Sequence, residues 1–156
     1  MFSPRYWTFF IIVLAAIAYS MIRYSNQPEL TVSPADTFNY RTVTLDNGLQ
    51  VMLVNTPDSQ KAAAAVTVDV GSGDDPADRE GLAHFLEHML FLGTEPYPEP
   101  GEYQAYISRH GGSHNAFTAH SQTTYFFEID NKALEGALDR FAPFFISPTF
   151  DAAYVE

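Results

Sequence analysis

The chain has 156 residues, 46% of them hydrophobic and 17% charged, with no cysteine. Eight Lys and Arg against 19 Asp and Glu give a formal net charge of −11, which excludes the basic stripe that a nucleic-acid binder uses to displace phosphate counterions. The missing cysteines exclude disulfides, Cys-based zinc modules and thiol catalysis together, so any metal would sit on His and carboxylates, while 13 Phe and 9 Tyr place the chain outside the disordered class.

Residues 7–22 (WTFFIIVLAAIAYSMI) carry no charge and lie between Arg5 and Arg23. As a helix they would span roughly 24 Å, short of the ~30 Å hydrocarbon core. Two readings stand side by side. A secretory signal fits Arg5, the apolar run and the small-x-small triplet Ala16-Ile17-Ala18. An uncleaved signal anchor fits if Tyr19, Ser20 and the arginines sit at the interface, giving membrane attachment through residues 7–22. Either exports the remainder, to the periplasm or to a membrane-anchored position outside the cytoplasm. Residues 23–39, with Pro28 and Pro34, read as a linker, and a folded domain is expected over 40–156.

Within that domain, Tyr40–Leu45 and Leu49–Val54 flank Asp46-Asn47-Gly48, whose residues tolerate positive φ, and so predict a β-hairpin. Ala63–Val70 predicts a third strand. The stretch from Gly71 to Glu80 reads as a solvated acidic loop; Asp74, Asp75 and Asp78 lack the regular spacing of a calcium loop. A helix is expected over Gly81–Leu92, stopped by Gly93, then an extended proline-rich connection over Glu95–Pro100. A second helix covers Glu102–His110 and ends at Gly111-Gly112. Thr123–Ile129 predicts a strand, and Asp130 or Asn131 a cap for a helix reaching about Phe145, bent or shortened by Pro143. Its Leu134, Leu138, Phe141 and Phe145 share one face, read as core. Strands mixed with helices and opened by a hairpin indicate an α+β domain: a mixed or antiparallel sheet packed with helices.

The chemistry concentrates in His84-Phe85-Leu86-Glu87-His88. At 100° per residue the two imidazoles lie about 40° apart, and with Glu87 they fill an arc of roughly 100°. The rest of the surface is apolar, so this helix is expected to be buried on most sides. A plain wet face is the alternative, but such a face would use Lys and Arg, and none occurs between Gly81 and Leu92. Imidazoles at i and i+4 can direct one nitrogen each to a single Zn²⁺ at about 2.0–2.1 Å. The adjacent Glu can then take a proton from the metal's water. This is the inverted zincin order, and it points to a metal-dependent hydrolase.

The segments GLAHFLEHMLFLGTEPYPEPGEY, HGGSHNAFTAHSQTTYFFEI and LEGALDRFAPFFISPTFD resemble the pitrilysin/insulysin family of zinc metallopeptidases, in its insulin-degrading type. The resemblance runs from about Tyr40 to Glu156. It implies the N-terminal part of a pitrilysin-type peptidase domain acting on peptides or small unfolded polypeptides. His84 and His88 match the zinc ligands and Glu87 the catalytic base; Asn115 and Ala116 match an edge strand that pairs with substrate, with Phe117 beside the cleft. It also implies a third zinc ligand, a glutamate beyond Glu156, and a C-terminal remainder of the enzyme supplying further substrate contacts. On this reading the chain is a fragment of a longer enzyme; the competing reading is a short non-catalytic peptide-binding or regulatory module. His110, His114 and His120 match no ligand position and are assigned to the surface.

Overall fold

The computed structural model describes residues 30–154, and the chain divides after Asp58 into two units. Residues 7–22, and the linker as far as position 29, lie outside the described residues. Among those described, no helix is long and apolar enough to cross a membrane.

The first unit carries the expected hairpin. Strand β1 (Asn39–Thr44) pairs antiparallel with β2 (Gln50–Asn55), Val43 opposite Val51. Its turn closes through Gly48 N–H to the Leu45 carbonyl at 2.9 Å, with Gly48 at φ +89°. That left-handed conformation is why glycine stands there. The Asn47 side chain accepts the Leu49 N–H at 3.1 Å, which fixes the register.

The second unit holds β3 (Lys61–Val68), α1 (Leu82–Met89), α2 (Glu102–Arg109), β4 (Ser113–Thr118), β5 (Thr123–Asp130) and α3 (Leu134–Phe141). Three strands form an antiparallel sheet in the order β3–β5–β4. Residues directly opposite one another share a face. Thus Thr123, Tyr125, Phe127 and Ile129 of β5 line one face with His114, Ala116 and Thr118 of β4 and with Ala64 and Val66 of β3. The helices pack on this face, where Tyr103 and Ile107 of α2 and Ala137 and Phe141 of α3 meet Tyr125, Phe127 and Ile129. Each large side chain buried there contributes about 1.5–3 kcal/mol relative to exposure. Arg140 of α3 ties the layer together: its guanidinium grips Glu102 at 2.8 and 3.1 Å and lies 4.0 Å from the Tyr106 ring centroid and 4.5 Å from that of Tyr97. The fold is the α+β arrangement anticipated, with antiparallel pairing throughout.

Three local expectations need correction. The core face of α3 and its flanking turns is Ala133, Ala137, Phe141 and Phe144, with Leu134 partly buried against them as expected, whereas Leu138 and Phe145 are exposed. The α-helix stops at Phe141, and Ala142–Phe145 continue as a 3₁₀ turn with Pro143 near its start. Three residues per turn then bring Phe144, not Phe145, beneath Phe141. Neither Asp130 nor Asn131 caps the helix with its side chain. Asp130 pairs instead with Lys61 at 3.3 Å, and the Asn131 side chain donates to the Ser59 carbonyl at 2.8 Å. Finally, α1 is not buried on most sides: Leu82, Phe85 and Leu86 are each more than 40% exposed. A three-stranded sheet covers one side of a helix, here the side of Glu87, Met89 and the following Leu90.

Candidate zinc and peptide site

Helix α1 starts without a capping side chain at Gly81, its N-cap residue. The acceptor comes from further back. Asp75 takes the Gly81 N–H on one carboxylate oxygen at 2.7 Å and the Ala83 N–H on the other at 2.8 Å. A negative group there also complements the positive end of the helix dipole. The loop expected to be merely solvated therefore holds the helix start, and Asp74 similarly accepts the Gly71 N–H at 2.9 Å. No short-range rule flags Asp75, because N-cap patterns look at the residue next to the helix.

One turn into α1, His84 and His88 converge, with Nε2 atoms 3.0 Å apart and ring centroids 4.7 Å apart. Both rings are exposed, whereas Glu87 between them is only 6% exposed. Two nitrogens of a tetrahedral zinc lie about 3.3 Å from each other, so the pair fits one metal with little adjustment. Among the described residues, no cluster of three or more His, Cys, Asp or Glu side chains that could hold a metal is assembled.

Glu87 points at the sheet. Thr118 of β4 donates its hydroxyl to Glu87 Oε2 at 2.5 Å. The Tyr125 phenol is pushed up to about 12, first by burial and then by the Glu87 charge. Thr118 was not among the residues singled out from sequence, and Asp75 was read there only as part of a solvated acidic loop.

Strand β4 is the edge implied for Asn115 and Ala116. The Ala119 N–H donates to the Gln122 carbonyl at 2.8 Å across the connection to β5. Backbone groups alternate sides along an antiparallel strand, so Ser113, Asn115 and Phe117 bond toward β5 while Ala116 presents its N–H and C=O to the open edge. That N–H is met by the residue's own neighbour, the Asn115 side-chain oxygen, at 2.9 Å. The structure thus brings Ala116 and Thr118 onto the Glu87 face and leaves the exposed Phe117 side chain on the opposite one. Nor is His114 a surface residue. Its ring packs on Phe91 and Tyr103 at centroid distances of 5.5 and 5.3 Å, its buried Nδ1 has no partner, and burial lowers its pKa. His110 is half-buried, its Nδ1 at 2.9 Å from the Tyr106 carbonyl oxygen, and His120 is exposed. An apolar recess of about 390 Å³ opens elsewhere on α1, between Leu86, Val68, Val70 and Phe150, and contains none of the three motif residues.

An inverted His-x-x-Glu-His helix laid on an antiparallel sheet, its carboxylate buried and its imidazoles convergent, defines the class of zinc metallopeptidases with this motif order. The family model for "Insulinase (Peptidase family M16)" matches residues 50–156, and the chain belongs to that family. It is 50% identical over 122 residues to the insulin-degrading enzyme of Homo sapiens, a match covering 78% of this chain and 12% of that one. The A-factor-processing enzyme of Saccharomyces cerevisiae is 48% identical over 116 residues, covering 74% of this chain and 11% of its own length. Among solved structures, pitrilysin aligns with a TM-score of 0.79 at 42% identity, over 82% of this chain and 14% of that chain. The chain therefore spans about one eighth of the length of the curated relatives it matches.

Proposed function

We propose that the protein is a zinc-dependent metalloendopeptidase cutting peptides or small unfolded polypeptides, with His84 and His88 as zinc ligands and Glu87 as general base. The observation that carries this reading is the convergence of the two Nε2 atoms at 3.0 Å beside a buried carboxylate. Lewis acidity is what zinc supplies when bound, polarising the scissile carbonyl and making water acidic at neutral pH. Glu87 accepts the proton that the attacking water loses and delivers it to the departing amide nitrogen. The third protein ligand that a catalytic zinc takes is assigned outside the described residues.

The open edge of β4 supports the proposed substrate role of Asn115 and Ala116. An extended peptide adds as a further strand, displacing the Asn115 oxygen from the Ala116 N–H and pairing with the groups that Ala116 presents. Main-chain pairing ignores side chains, which suits varied peptides. Phe117, facing the other way, would act on substrate only beyond the strand edge. We assign the protein to an exported location on the pattern of residues 7–22; cell fractionation tests export, and N-terminal sequencing of the mature chain separates a cleaved signal from an uncleaved anchor.

Metal analysis of the full-length protein tests the ligands. Zinc should co-purify with the wild type and be lost from His84→Ala and His88→Ala; full zinc in either variant contradicts the assignment. The second reading, a non-catalytic peptide-binding module, draws on the two-imidazole set among the described residues. Retained zinc and peptide binding with no hydrolysis would favour it.

A further inference from the structure

We propose that Thr118 is the positioning residue for Glu87, so that a single hydrogen bond links the base to the strand edge that receives substrate. The proposal rests on the reading of Glu87 as base. Its hydroxyl donates to Glu87 Oε2 at 2.5 Å, within the range of a charge-assisted O–H···O⁻ bond. Among the described residues this is the one hydrogen bond to the carboxylate, which leaves Oε1 open for proton transfer.

The donor is itself held in place. Thr123 lies directly opposite Thr118 in the ladder, its Oγ1 at 3.4 Å from Thr118 Oγ1 and 2.9 Å from the Val70 carbonyl oxygen, to which it donates. A hydroxyl has one proton to give. The Glu87 carboxylate oxygen, nearer than Thr123 Oγ1 at 3.4 Å and the stronger acceptor, takes the one proton that Thr118 has to give. Thr118 also lies two residues from Ala116 on the same face of β4, so a peptide pairing at Ala116 lies along the strand that orients the base. A glutamate has three rotatable bonds, and a carboxylate in the wrong rotamer loses its alignment with the reacting atoms.

The test uses the full-length, zinc-loaded protein and three variants: Thr118→Val, which keeps shape and removes the donor, Thr118→Ser, which keeps the donor, and Glu87→Gln as reference. Kinetics on an internally quenched peptide, zinc content, melting temperature and crystal structures are measured for each. Thr118→Val should lower kcat by roughly 10- to 100-fold, leave KM within about twofold and zinc unchanged, and show Glu87 in more than one rotamer. Thr118→Ser should restore most of kcat and the single rotamer. Wild-type kcat in Thr118→Val with Glu87 unmoved overturns the proposal. So does a loss that tracks a lower melting temperature and is not rescued by serine, since that marks simple support of β4. If Glu87→Gln retains turnover, it is the base assignment that fails; the Glu87 rotamer in the Thr118→Val crystal still decides whether Thr118 holds the carboxylate.

Discussion

Asp75 offers a quantitative test of how the site is built, because it is remote from the metal ligands yet holds the start of the helix that carries them. Replacing it with Ala removes both acceptors for the Gly81 and Ala83 N–H groups. Loss of a capping side chain costs about 0.5–2 kcal/mol, and loss of a negative charge at a helix N-terminus about 0.3–1 kcal/mol. Gly81 contributes no side-chain cap to compensate, so a total of about 1.5–2.5 kcal/mol is reasonable, equivalent to about 10- to 70-fold in the folding equilibrium. His84 is in the first turn and His88 in the second, so fraying displaces one imidazole and spares the other. Guanidinium unfolding should therefore show a lower midpoint at unchanged m-value, and zinc affinity should fall in parallel. Asp75→Asn, which keeps an oxygen and loses the charge, should fall between wild type and Ala. A Asp75→Ala protein with wild-type midpoint and wild-type zinc affinity would refute the claim that Asp75 holds α1.

Other outcomes follow from the same structure. Burial lowers the folded pKa of His114 below the unfolded value of about 6.5, so the unfolded state binds more protons in the acid range. Its contribution to stability is complete above about pH 6.5 and is lost as pH falls through that value toward the folded pKa. His114→Phe should flatten this acid decline, as unfolding midpoints at several pH values would show. Gly136→Ala places a Cβ 2.1 Å from the Tyr106 hydroxyl oxygen and should destabilise by about 1–3 kcal/mol through overpacking between α2 and α3, read by thermal melting. Ala116→Pro removes the outward N–H of β4 and should raise KM for extended peptides about tenfold with zinc retained; an unchanged KM would argue against strand addition at this edge.

The parts of the fold that were legible in the sequence are those governed by short-range chemistry. Asp46-Asn47-Gly48 predicted the hairpin because its turn needs positive φ, and the i, i+4 spacing of the histidines predicted their convergence on α1 because helical periodicity alone sets their approach. Strand β4 was hidden, since Ser113–Thr118 has too little apolar content for an alternation signal, and only the family resemblance implied an edge there. The shift of the α3 core face from Phe145 to Phe144 depends on a change of helix type at Pro143, which a fixed 100° period does not anticipate. Thr118 and His114 owe their roles to partners distant along the chain, and Asp75 to amides six and eight residues on, beyond the reach of a capping rule that looks at the residue next to the helix.

The central claim is that the α1 cluster is a zinc peptidase centre with Glu87 as its base, and peptide turnover by zinc-loaded Glu87→Gln tests it most directly. That substitution keeps size and hydrogen bonding while removing the proton acceptor. Turnover should fall by roughly 10²- to 10⁴-fold at unchanged zinc content. Near-wild-type turnover at full zinc occupancy would contradict the account.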